Sequence, residues 1–129
     1  LENRSPLCLA SEAGHSDVVA LLLGGHTNIE ARGYSQMTPL IFAAQGGNAT
    51  TVRLLLHRGA DIEAKDENQR TALSHAAQSG HIEVVELLLD WGADMETIDA
   101  DGKNPLQYTV PFGHLPIFNL MLQVGAYRQ

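Results

Sequence analysis

Cysteine is almost missing from this 129-residue chain, where Cys8 stands alone. One thiol forms no internal disulfide and no multi-cysteine zinc site, and such usage suits a reducing compartment, so an intracellular protein is expected. Cationic side chains are scarce as well: eight Lys and Arg against fifteen Asp and Glu leave a formal net charge of −7. The basic stripe wanted by nucleic acid or an anionic membrane surface is therefore lacking. No apolar run approaches the roughly 18 residues of a membrane span. The opening Leu1-Glu2-Asn3-Arg4 does not resemble a secretion signal. Neither nucleic-acid binding nor membrane insertion is expected. The chain also lacks a phosphate-cradling glycine loop and any serine or cysteine in a recognisable nucleophile setting, which argues against catalysis.

What the chain has is a period. Ser5-Pro6-Leu7, Thr38-Pro39-Leu40, Thr71-Ala72-Leu73 and Asn104-Pro105-Leu106 follow one another at intervals of 33 residues. Gly14-His15, Gly47-Asn48, Gly80-His81 and Gly113-His114 keep the same register. So do the apolar blocks that begin at Leu21, Leu54, Leu87 and Leu120. A fixed period of about 20–50 residues signals stacked units, none of which buries its apolar face alone.

The unit from Ser35 to Glu67 shows the local logic. The Thr38 hydroxyl can cap a helix, and Pro39 suits its first turn. Ala43 and Ala44 give this helix a small face, and Gly46-Gly47 ends it. Thr51, Val52, Leu54, Leu55 and Leu56 then place an apolar stripe on a second helix, closed by Gly59. Ser5, Thr71 and Asn104 are the corresponding caps, and Gly92 and Gly125 the corresponding closures. His26 takes that closing place in the first unit, where a left-handed histidine is uncommon. Leu22, Leu55, Leu88 and Met121 are expected to be core, each worth about 1.5–3 kcal/mol when buried.

Thr38-Pro39-Leu40 with Ala43-Ala44, Gly80-His81 with Val84-Val85-Glu86-Leu87-Leu88-Leu89, and Gly92-Ala93-Asp94 carry a family likeness. On these motifs the chain resembles the ankyrin-repeat family over essentially its whole length. The resemblance implies an all-α solenoid of helix-turn-helix units with hairpin-like loops. It implies one domain, 1–129, with repeats 2–34, 35–67, 68–100 and 101–129. It further implies a non-enzymatic scaffold, without cofactor or metal, that binds another protein or peptide in a concave groove formed by loop tips and first helices. The alternative is a spacer or regulatory segment of a larger protein. Such a segment packs on another domain of the same polypeptide, or self-associates weakly through the C-terminal repeat, whose helix pair carries Val110, Phe112, Phe118 and Met121. The family's histidine after Thr-Pro-Leu is replaced by Cys8, Ile41, Ser74 and Gln107, which is expected to remove some hydrogen bonding between repeats. His75 falls one place later, where the family prefers an apolar residue.

By register, the resemblance puts Tyr34, Glu67 and Ala100 at the loop tips, with Arg4, Met37, Arg70 and Lys103 just before the first helices. Glu12, Gln45, Gln78 and Pro111 mark the ends of those helices, followed by Ala13, Gly46, Ser79 and Phe112. The implied protein-binding set is Tyr34, Met37, Gln45, Arg70, Gln78, Lys103 and Phe112. Tyr34 and Met37 are expected to be exposed, Arg70 to act as an anchor and the two glutamines to supply hydrogen bonds. Glu30, Glu63 and Glu96 form an acidic ladder that either meets a basic peptide or is simply solvated. His15, His81 and His114 share one place, but helix pairs about 8–10 Å apart do not bring them to one metal. They are expected to bond local backbone. Asp99-Ala100-Asp101-Gly102 lacks the first acid and the closing glutamate of a calcium loop and reads as a turn.

Overall fold

Caps and prolines start the first helix of each pair. The computed structural model describes residues 5–128, so Arg4 lies outside the described residues. Eight α-helices follow in order: α1 (Pro6–Ala13), α2 (Ser16–Leu23), α3 (Pro39–Gln45), α4 (Ala49–His57), α5 (Ala72–Ser79), α6 (Ile82–Asp90), α7 (Pro105–Thr109) and α8 (Leu115–Arg128). A single 3-10 turn spans Tyr34–Gln36. Thr38, Thr71 and Asn104 accept the N–H groups of Ile41, Ser74 and Gln107. Gln107 also reaches back to the Asn104 N–H, closing a reciprocal box. Ser5 makes no such bond to α1, contrary to expectation. Among the described residues there is no β-strand, and the loops end in turns closed by Gly33 N–H to Met37 O, Asp66 N–H to Arg70 O and Asp99 N–H to Lys103 O.

Two rows of helices result. α1, α3, α5 and α7 pack side by side, α2, α4, α6 and α8 form the second row, and each odd helix lies against the even helix that follows it. The two inner odd helices are nearly buried all round: every residue of α3 from Leu40 to Ala44 and of α5 from Ala72 to Ala77 is covered. Alanines make this possible, since Ala43, Ala44, Ala76 and Ala77 let backbones approach closely. The even row buries only one stripe, Val52, Leu55 and Leu56 on α4 and Val84, Val85, Leu88 and Leu89 on α6. Leu55, Leu88 and Met121 are core as expected, whereas Leu22, in the first pair, is only half-buried. Met121 sits with Ile117 on the inner stripe of α8.

Three kinds of bond stitch neighbouring pairs together. Asn48 Nδ2 donates to the carbonyls of Ser11 and Glu12 (3.3 Å each), His81 Nε2 to Gln45 O and His114 Nε2 to Gln78 O (3.0 Å each). His81 and His114 therefore bond the preceding pair and not their local backbone. The Glu30 and Glu63 carboxylates accept the N–H groups of Asp61 (2.7 Å) and Asp94 (2.8 Å). Finally, Ser35 O and Asn68 O accept the N–H groups of Glu67 and Ala100, each at 3.0 Å.

Glycine is obligatory where these side chains cross. Gly47 has φ +74°, and a Cβ there would lie 2.6 Å from His81 Nδ1. Gly59 has φ +91° but open space around it. A left-handed alanine costs about 1–2 kcal/mol at either site, while Gly47→Ala also displaces the His81 ring, adding about 1–2 kcal/mol. Urea denaturation of the two variants should therefore show Gly47→Ala to be clearly the more damaging. Equal losses would mean that the ring is free to move aside.

Two closures differ from expectation. The turn after α2 starts at Gly24 in a right-handed conformation, and His26 is not left-handed. Gly125 does not end α8, which continues to Arg128. The Arg128 guanidinium donates to Ala93 O (2.7 Å) and Leu89 O (2.9 Å), tying this extension to the preceding pair.

Candidate functional site

The loop tips owe their shape to two buried carboxylates. Asp66 Oδ1 accepts the N–H groups of Asn68 (2.8 Å) and Arg70 (3.0 Å), while its Oδ2 meets His75 Nε2 at 2.8 Å. One unit later, Asp99 Oδ1 accepts the N–H groups of Asp101 (2.9 Å) and Lys103 (3.0 Å). Its Oδ2 takes the Tyr108 hydroxyl and Arg70 Nε, the latter at 3.2 Å. In the first tip Gly33 replaces the acid and Phe42 replaces the donor, and the Phe42 ring packs edge-on against Tyr34 with centroids 4.9 Å apart. Acid and donor thus come and go together, because a buried carboxylate without a donor is costly.

Burial works against ionising Asp99, but the bonds from Tyr108, the Lys103 and Asp101 N–H groups and Arg70 prevail and hold its pKa below the usual 3.8. The same contact acts in reverse on its partner: burial and the bond to Asp99 push the Tyr108 phenol up to about 12. Burial also pushes the Cys8 thiol up, leaving it protonated beside Ala31 O and ill-suited to nucleophilic chemistry.

The seven implied site residues fare differently. Tyr34 is 49% exposed, and its hydroxyl donates to Glu12 Oε2 at 2.5 Å. That bond, more than burial, pushes its phenol up to about 12. Met37 is not exposed: at 3% it belongs to the core. Its register partner Arg70 stays at the surface edge, but the thioether at Met37 gains more by leaving water and turns inward. Arg70 is engaged within the chain, paired with Asp99 and with Asp101 (3.1 Å) and lying over the Tyr108 ring at 5.1 Å. It builds the tip and is not a free anchor. Lys103 is exposed beside the same ring, at 5.7 Å.

Gln45 is exposed and Gln78 half-buried; their backbone carbonyls hold His81 and His114. Phe112 is 54% exposed and stacks on His114 with centroids 6.0 Å apart. Tip chemistry thus gathers Arg70 and Lys103 around Tyr108. No hydrogen bond or ring contact among the described residues joins them to Tyr34 or Phe112. Glu30 and Glu63 are not a free acidic ladder, since each is spent on the next loop's backbone.

Sequence reasoning missed three features. Arg32 Nη1 bridges Gln36 O (2.7 Å) and Lys65 O (2.5 Å), linking two neighbouring tips. The pairing of Asp66 with His75 and Asp99 with Tyr108 had a signal, an acid and a donor nine residues apart that vanish together at Gly33 and Phe42. Third, an apolar cleft of about 300 Å3 opens among Thr109, Val110, Gly113, His114, Leu115 and Phe118. It depends on how the last pair folds and left no mark on the pattern.

No helix is long and apolar enough to cross a membrane among the described residues. A search of curated proteins finds no match to this sequence. A family model described as ankyrin repeats (three copies) matches residues 1–66 and 63–127. With the match spanning nearly the full length and the paired helices stacked in register, the chain belongs to the ankyrin-repeat family.

Proposed function

We propose that this chain is a non-enzymatic protein-interaction module whose binding surface is the row of loop tips and first-helix ends. Ankyrin repeats are in general protein–protein interaction modules and are generally not enzymes. One observation carries the assignment to this surface. Positions that hold the stack repeat from unit to unit, whereas the outward positions vary, with Gln45 and Gln78 the one matched pair: Tyr34, Glu67 and Ala100 at the tips; Glu12, Gln45, Gln78 and Pro111 at the helix ends; then Ala13, Gly46, Ser79 and Phe112. A uniform scaffold whose outward side chains vary along its length is suited to reading an extended partner. Alanines in the odd row and leucines in the even row favour curvature with this surface on the inner side. A preformed surface of this kind loses little freedom on binding.

Within it, exposed Gln45, Lys103 and Phe112 are the contacts we assign, with Tyr34 and Gln78 beside them. Met37 is excluded by burial, and Arg70 acts by fixing the tip. The test is a pull-down comparing the parent chain with a Gln45→Ala/Phe112→Ala variant. Both side chains are exposed. Gln45 holds His81 by its backbone carbonyl, which alanine keeps, and Phe112 lies on the face of His114 without taking part in its bond to Gln78 O. Circular dichroism should therefore show an unchanged fold. A protein retained by the parent and lost from the folded variant supports this surface. Equal retention by both places binding elsewhere.

A further inference from the structure

The junctions leave a matching acceptor and donor at the two ends of the stack. Pro111 O, on the forward side of the last pair, occupies the register of Glu12 O, Gln45 O and Gln78 O, which take the crossing side chains of Asn48, His81 and His114. It has no hydrogen-bond partner among the described residues. On the backward side of the first pair, the His15 ring stands in the register of Asn48, His81 and His114.

Shape follows the same rule. A Cβ on Gly14, Gly47 or Gly80 would meet the crossing side chain of Asn48, His81 or His114 within 2.5–2.6 Å, whereas at Gly113 nothing lies within 4 Å. That cradle has the dimensions of an imidazole, and His15 is the exposed ring in its register.

Apolar surface agrees as well. Val110 is 64% exposed, where Ala44 and Ala77 are fully covered by the next pair, and Leu122 is 48% exposed, where Leu56 and Leu89 are at 4% and 5%. At the other end Val18 is 42% exposed, although Thr51, Val84 and Ile117 in its register are at 0–2%. Thr51 shows which way this position faces, since its hydroxyl meets Ser16 of the preceding pair at 2.7 Å.

We propose that a second copy of this chain stacks head to tail on the α7/α8 face through its own α1/α2 face. His15 of the second copy fills the Gly113 cradle and donates to Pro111 O. The occupant is a second copy because its α1/α2 face carries the crossing ring of His15 and the exposed Val18 in the register that continues the existing junctions. Such contacts are heterologous, so they extend the stack and do not close a two-fold dimer.

Sedimentation velocity on the 129-residue chain, across concentrations up to its solubility limit, reads this directly. The mean mass should rise with concentration above 13.9 kDa. Val18→Asp and Val110→Asp each block one face at an exposed position, and circular dichroism checks that both fold. Each variant alone should be monomeric. An equimolar mixture of the two should reach twice the monomer mass and stop, because only one junction remains possible. A wild-type chain that stays monomeric throughout overturns the proposal. So does a Val18→Asp variant that still self-associates, since that requires two α7/α8 faces to meet.

Discussion

Leu88→Ala should lower the free energy of unfolding by about 4 kcal/mol, near the upper end of the roughly 2–5 kcal/mol range for large-to-small core changes. Leu88 is fully buried on α6, which packs between α4 and α8. Its removal therefore weakens a unit that has a junction on each side. Its neighbours Val84, Val85 and Leu89 belong to helices whose positions are set by the stack, so they close little of the space left behind. Leu22 is the same residue in register, but it is half-buried in the first pair. Leu22→Ala should cost about half as much, because less contact and only one junction are lost. Urea denaturation of both variants is the check. A reduced slope for Leu88→Ala, along with a lower midpoint, would show that the stack has split into separately melting parts. Equal losses at the two sites would contradict the placement of α6 between two covered faces.

Asp99→Asn carries the second large effect, about 3 kcal/mol at neutral pH, in line with breaking a buried charge pair whose partner keeps some access to water. The amide no longer matches the donors around it, namely Arg70 Nε, the Tyr108 hydroxyl and the N–H groups of Asp101 and Lys103. The pH dependence has a definite sign. Asp99 is held below its usual value of 3.8 in the folded chain. Its contribution is therefore complete above the unfolded value and is lost as pH falls through the lowered folded value. The gap between parent and variant should be constant from neutral pH down to about 4 and narrow below that. A gap that stays constant well below pH 4 would mean that Asp99 is not the group that ionises there.

The period made the architecture readable before any coordinates. Helix pairs, caps at Thr38, Thr71 and Asn104, left-handed glycines at 47 and 80, and core leucines at 55 and 88 all follow from local rules repeated in register. Each depends on a residue and its near neighbours in the chain, and that is the range over which sequence patterns report.

The candidate surface was less legible because its side chains answer to neighbours about a repeat length away. Met37 and Arg70 share a register position, yet one is core and the other ion-paired to Asp99 and Asp101. Glu30 and Glu63 look like a solvated ladder until the next loop's N–H groups are placed 31 residues further on.

From the sequence alone, then, come the all-α stack, its repeat length and the residues too apolar to remain in water. The tertiary structure decided which polar side chains are free to meet a partner. That choice depends on desolvation and on donor–acceptor matching across junctions, and both exist only once one helix pair lies against another.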